Sequence, residues 1–208
     1  LMPEWEGLTA DEGHERAVEH LRESGALREE TPYRHSVGFC QRSGARIEPL
    51  ISLQWFCRMD ELAKPAIDVV KSREVRFHPE RMEKIYLDWM EQIRPWCVSR
   101  QLWWGHRLPV WFAADGTHVV QVERPEGEGW EQSTDVLDTW FSSALWPYAT
   151  LGWPDQTSEL AKWYPGNVLV TGRDIINLWV ARMIMTGIAF ADGLPFTDVY
   201  INSTIQAA

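Results

Sequence analysis

A chain of 208 residues is long enough for one sizeable core plus a smaller module, or to be a piece of something larger. Its net charge of -10 and pI near 5.1 argue against a surface given over as a whole to polyanion binding, while leaving room for a local basic patch. No run of 18 or more apolar residues occurs, which excludes a spanning helix, and Leu1 to Leu8 lacks the charged-then-apolar layout of a secretory signal.

The three cysteines, Cys40, Cys57 and Cys97, are odd in number and widely spaced, which fits a reducing cytoplasm better than a disulfide framework. Thirteen tryptophans exceed what packing alone usually recruits, so some are expected to serve recognition and most to fill a core.

In chain order, Thr9 and Glu12 form a T-x-x-E capping box, Ala17, Val18 and Leu21 make an apolar stripe, and Gly25 supplies a stop, which predicts an amphipathic surface helix. His14 and His20 fall off the stripe and read as solvent-facing. From Tyr33 to Ile51 the pattern is loop and short strand around C-Q-R-S-G at Cys40 to Gly44. Ser43 stands where a zinc knuckle wants a second thiolate, so no metal is expected there. Arg58 to Ser72 is helical in pattern, with Pro65 either in the first turn of a helix beginning near Lys64 or at a kink. Pro79 opens the clearest helix, its Met82, Ile85, Tyr86, Trp89 and Ile93 following i, i+3, i+4, i+7 spacing, and Pro95 ends it.

Trp96 to Trp111, WCVSRQLWWGHRLPVW, is too aromatic for a linker and too irregular for one helix. Leu108 to Phe112, an Asp115-Gly116 turn and His118 to Val122 predict a hairpin. Asp138 to Pro147, DTWFSSALWP, reads as a loop entering a short helix. Val168 to Met183, VLVTGRDIINLWVARM, is a buried strand delivering its carboxyl end into a helix with almost no polar face. Phe196 to Ile205, alternating as Val199, Ile201 and Thr204, completes one strand-helix-strand unit of a parallel sheet.

The end of such a strand is where ligands sit in open α/β sheets. Gly172 lacks a Cβ and admits a ligand to the main chain; Asp174 offers an acceptor-only carboxylate that suits a ribose diol, although an aspartate near a helix start is also an ordinary cap. On α-helical spacing, Ile175 and Trp179 share a face toward that crevice, and with Trp140 they either wall a small apolar pocket or pack in the core. Arg100, His106, Arg107 and Arg182, basic groups among aromatics, suit phosphate and base contacts or salt bridges equally.

These three stretches, WCVSRQLWWGHRLPVW, DTWFSSALWP and VLVTGRDIINLWVARM, closely resemble the valyl-tRNA synthetases, a family of class I aminoacyl-tRNA synthetases, in register through nearly the whole chain. Isoleucyl-tRNA synthetases share the S-R-Q and G-x-D elements and are the alternative within the class, but the W-W-G-H and D-T-W-F-S-S-A-L-W-P wording resembles that of the valine enzymes.

The resemblance implies an α/β fold, the C-terminal half of a Rossmann-type parallel-sheet catalytic domain. Residues 1–35 would be the tail of an inserted editing domain, and 36–208 the catalytic half, including a small connective hairpin region at about 108–135. It implies a cytoplasmic ligase, monomeric at full length, that takes valine, ATP with Mg2+ and tRNA(Val), needs no zinc, and edits mischarged products. Gly172 and Asp174 would contact the adenylate ribose, Trp140, Ile175 and Trp179 would shape the valine pocket, and Arg100, His106 and Arg107 would meet tRNA. The H-I-G-H and K-M-S-K-S type motifs that handle ATP phosphates in the family are not in this sequence, so no catalytic residue is assigned and the 208 residues are expected to be an inactive internal fragment. A non-catalytic nucleotide- or RNA-binding module that kept a synthetase-like half-fold is the alternative from a different class.

Overall fold

The capping box forms as its spacing predicts: the Thr9 hydroxyl accepts from the Glu12 amide, and the Glu12 carboxylate accepts from the Thr9 amide at 2.8 Å. It starts helix α1, Ala10–Glu23, no residue of which is fully buried, and Gly25 follows it in the left-handed region at φ +68. The computed structural model describes residues 3–41, 43–49, 51–203 and 205, in two compact units, Leu1–Ile51 and Ser52–Ala208. Of the positions read above, Leu1, Arg42, Leu50, Thr204, Gln206, Ala207 and Ala208 lie outside the described residues. In the first unit Phe39 and Arg46 bridge across the turn at Cys40–Gly44, where the Ser43 hydroxyl accepts from the Ala45 amide. The Arg46 guanidinium pairs there with Asp11 and Glu48.

The second unit opens with β1, Phe56–Cys57, followed by α2, Asp60–Lys71. Pro65 lies inside α2, six residues after Met59 at its N-cap, and not in a first turn near Lys64. It is tolerated because Glu61, whose carbonyl the proline leaves without a donor, faces solvent, where water can take that bond. Then come β2, Arg76–His78, and α3, Arg81–Glu91, which buries Met82, Tyr86 and Met90. The Tyr86 hydroxyl donates to the Ala66 carbonyl at 2.9 Å, joining α3 to α2.

The aromatic stretch resolves into two short strands, β3, Trp96–Cys97, and β4, Ser99–Arg100; β3 pairs antiparallel with β1. The predicted hairpin is β5, Val110–Phe112, with β6, His118–Val120, extended by β7, Glu131–Gln132, into a three-stranded antiparallel sheet. Next, β8, Val136–Leu137, pairs with β4 and leads into helix α4, Thr139–Ala144, then α5, Trp146–Ala149, and α6, Ser158–Trp163.

The strand-helix-strand unit is β9, Val168–Gly172, helix α7, Ala181–Phe190, and β10, Asp198–Asn202. Among the described residues β2, β10 and β9 form one parallel sheet in that order, with Val199 opposite both Phe77 and Leu169. Leu169, Val199, Ile201 and Phe77 turn to one face and close a core with Ile176, Val180, Met183, Ile184, Ala63, Val70, Tyr86 and Met90. Every residue of α7 from Ala181 to Gly187 is buried, as its lack of a polar face predicts.

Two readings need correction. The apolar run of β9 is not buried on both sides: Val168 and Val170 remain 58% and 57% exposed, because among the described residues only one face of the sheet is covered. The helix after β9 is also not α-helical at its start. Arg173–Ile175 is a 3-10 turn, and Ile176–Val180 is a π-helical turn in which the Ala181 amide bonds the Ile176 carbonyl five residues back.

Candidate functional site

The carboxyl end of β9 places Gly172 next to Asp174, and the missing side chain leaves room for that carboxylate. A Cβ on residue 172 would stand 2.6 Å from Asp174 Oδ1. Gly172 has ordinary extended φ and ψ of -86 and 154, so it serves by its missing side chain and not by unusual backbone freedom. Asp174 itself is exposed at the first turn after the strand, with both oxygens available as acceptors from a diol.

From Ile175 onward the 3-10 and π-helical turns change the rotation per residue, so Ile175 and Trp179 do not have the face-sharing of an α-helical i, i+4 pair. Both are half-buried. The Trp179 indole N–H donates to the Ser143 carbonyl at 2.9 Å, and its ring lies 5.8 Å from that of Trp146. Trp179 is therefore anchored to α4 and its C-terminal flank. Trp140 sits at the other end of the same helix.

Trp140 faces a cavity of about 530 Å3 that it shares with Trp96, Arg100, Asp138, Leu178 and Arg182, and whose wall does not include Ile175 or Trp179. Asp138, 6% exposed, is the N-cap of α4. Its Oδ1 accepts from the Trp140 amide at 3.3 Å, while Oδ2 accepts from the Trp96 indole at 2.8 Å and pairs with Arg100 at 3.1 Å. The Arg100 guanidinium also donates at 2.8 Å to the Cys97 and Ser99 carbonyls, so the salt-bridged reading of this arginine is the one its geometry follows. Arg182, 7% exposed, lies 4.0 Å over the Trp96 ring and donates to the Leu178 carbonyl. Burial lowers its proton affinity, and the nearby Asp138 charge acts in the other direction.

Sequence reasoning passed over Asp138 and Trp96 as functional residues. The available signal was an aspartate immediately before a short aromatic helix, which is the pattern of an N-cap.

Of the other basic candidates, Arg107 is exposed but donates to the Gln132 and Ser133 carbonyls at 3.0 and 2.8 Å. His106 is exposed, and its carbonyl accepts from the Leu137 amide at 2.7 Å. Between Arg100 and His106 the side chains of Trp103 and Trp104 are 106% and 93% exposed. Among the described residues no group of three or more His, Cys, Asp or Glu side chains is placed to hold a metal, and no helix is long and apolar enough to cross a membrane.

The sequence model of the family described as tRNA synthetases class I (I, L, M and V) matches residues 21–128 and 123–208. A valine--tRNA ligase of Bacillus subtilis is 53% identical over 207 residues, covering 98% of this chain and 24% of that protein. One of Petrotoga mobilis is 51% identical over 207 residues, 96% of this chain and 24% of its own. In three dimensions the chain is similar to methionyl-tRNA synthetase of Mycobacterium tuberculosis bound by methionyl-adenylate, with a TM-score of 0.52 at 17% identity, over 79% of this chain and 29% of that one. The chain thus spans about a quarter of the length of the curated relatives it matches.

Proposed function

The chain belongs to the class I tRNA synthetases, and from that premise we propose that it works as part of a valine–tRNA ligase, carrying one side of the site at which valine and ATP become valyl-adenylate. In that reaction the valine carboxylate attacks the α-phosphorus of ATP, pyrophosphate leaves, and the valyl group then passes to the 3′ end of tRNA(Val) in the cytoplasm. The observation that carries the reading is the agreement, at about half of all positions over nearly the whole chain, with ligases specific for valine.

Within it, Asp174 accepts hydrogen bonds from the adenylate ribose, at a corner kept open by Gly172. Trp140, Ile175 and Trp179 limit the size of the amino-acid pocket. His106 and Arg107 stand on the face offered to tRNA, whereas Arg100 is held inward by Asp138 and two carbonyls. Mg2+ enters with the ATP phosphates as part of the substrate. Residues 1–35 form the tail of an inserted editing domain. Editing is needed because an apolar wall discriminates against one surplus or missing methylene by only about 1–3 kcal/mol.

The test is amino-acid-dependent ATP–pyrophosphate exchange by the full-length parent. Preference for valine is expected; preference for isoleucine or leucine would overturn the assignment. In the same protein Asp174→Ala removes charge-assisted hydrogen bonds of about 1.5–3 kcal/mol, so kcat/KM for ATP should fall roughly ten- to hundredfold. Unchanged kinetics would remove the ribose role.

A further inference from the structure

Asp138 is the one acidic group on the described wall of the cavity that Trp140 faces, and its two oxygens do different work. Oδ1 caps the first turn of α4 through the Trp140 amide. Oδ2 receives two donors from a separate part of the fold, the Trp96 indole on β3 and the Arg100 guanidinium on β4. Arg100 is itself fixed by the Cys97 and Ser99 carbonyls, and Trp96 lies under the Arg182 guanidinium that α7 supplies. The start of α4 is thereby referenced to two strands and, through Trp96, to the buried helix. Three residues beyond Trp140, the Ser143 carbonyl of α4 accepts from the Trp179 indole. Both tryptophans proposed as pocket walls thus meet α4, whose first turn is tied to Trp96 and Arg100 by Asp138 and whose last residue is tied to α7 by the Thr186 hydroxyl, which donates to the Ala144 carbonyl at 2.9 Å.

We propose that Asp138 is a specificity-positioning residue, which sets the spacing of Trp140 and Trp179 by tying the first turn of α4 to Trp96 and Arg100. The proposal rests on the reading of those tryptophans as walls of the amino-acid pocket. It requires a carboxylate. An asparagine of the same shape has one acceptor oxygen, so turning it toward Trp96 and Arg100 points its amide N–H2 at the Trp140 N–H, and the reverse orientation faces the same amide with two donors.

The experiment uses the full-length parent. Asp138→Asn is expected to raise KM for valine and to lower the valine-over-isoleucine ratio of kcat/KM by roughly 3- to 30-fold, the range for losing one cap or one charged hydrogen bond. KM for ATP should stay within about twofold, since the ribose corner at Asp174 lies on a different element. Trp96→Phe, which removes the indole donor while keeping an aromatic ring beneath Arg182, should move the same ratio in the same direction by less, and carries the test if Asp138→Asn does not fold. Trp140→Ala separates the two levels of argument. If it leaves discrimination unaltered, the pocket reading fails. If Trp140→Ala relaxes discrimination while folded Asp138→Asn or Trp96→Phe keeps the ratio, or lowers turnover for valine and isoleucine equally, the positioning role fails.

Discussion

Asp198, the first residue of β10, accepts from His78 Nε2 at 2.8 Å, from Arg76 at 2.7 Å and from the Thr197 hydroxyl at 2.9 Å. The His78 bond, then the Arg76 bond, hold its carboxyl at about 2, below its ordinary value of 3.8. Because the folded value is the lower one, the carboxylate stabilises the fold fully above about 3.8 and loses that contribution as pH falls toward about 2. Asp198→Asn should therefore be less stable than the parent sequence in urea at neutral pH, with the gap narrowing below about pH 4. A gap independent of pH would show that charge is not its source.

Gly172→Ala is the complementary residue-scale test. The new methyl would meet the end of a flexible side chain at 2.6 Å, so folding should barely change while the Asp174 carboxylate is pushed aside. The full-length protein is expected to keep its unfolding midpoint and to show a raised KM for ATP. A normal KM would mean that the carboxylate has no work to do at that place.

Among elements, α7 is buried at every residue from Ala181 to Gly187. A Cβ on Gly187 would lie 3.0 Å from the Gly193 carbonyl, from Pro195 and from the Tyr164 hydroxyl. Alanine gains about 1 kcal/mol in helix propensity over glycine, but overpacking against fixed backbone costs about 1–3 kcal/mol, so Gly187→Ala should destabilise on balance. Denaturant melts that shifted to higher stability would show that Gly193 and Pro195 can yield.

The elements visible in the sequence are those whose signals are local. The Thr9 and Glu12 box, the stripe from Met82 through Tyr86 and the Asp115-Gly116 turn each depend on residues a few positions apart. The π-helical turn at Ile176–Val180 was not legible, since a segment apolar on nearly all sides has no polar face to betray a change of winding. The wetting of Val168 and Val170 was equally hidden, because it depends on what covers a sheet and not on the strand's own composition. Trp140 and Trp179 could be named from their motifs, but the carboxylate that organises α4 acts across 42 positions, from Trp96 to Asp138, and no spacing rule reaches that far.

At the scale of the molecule, Val168, Val170 and Tyr200 form a face of the parallel sheet left open among the described residues, with Val168 opposite Asp198 and Val170 opposite Tyr200 in the ladder. An apolar sheet face of this kind wants a covering layer. Together with the unassigned ATP-phosphate machinery, this predicts that the isolated 208 residues will not support valine-dependent pyrophosphate exchange under conditions where the full-length parent does. Exchange by the isolated chain would show that these residues contain a complete site.

Among the described residues the latest strand of that sheet lies in the middle: β10 pairs with both β2 and β9, which are not ladder partners of each other. During synthesis both outer strands leave the ribosome before the strand that unites them. Until residues 198–202 emerge, Phe77 and Leu169 have no Val199 to meet, and among the described residues neither outer strand has another ladder partner in this sheet. Asn202 stands opposite Gly172, so the ribose corner takes its final alignment from a residue translated well after it. Among the described residues, this corner thus takes its alignment from a strand translated after it.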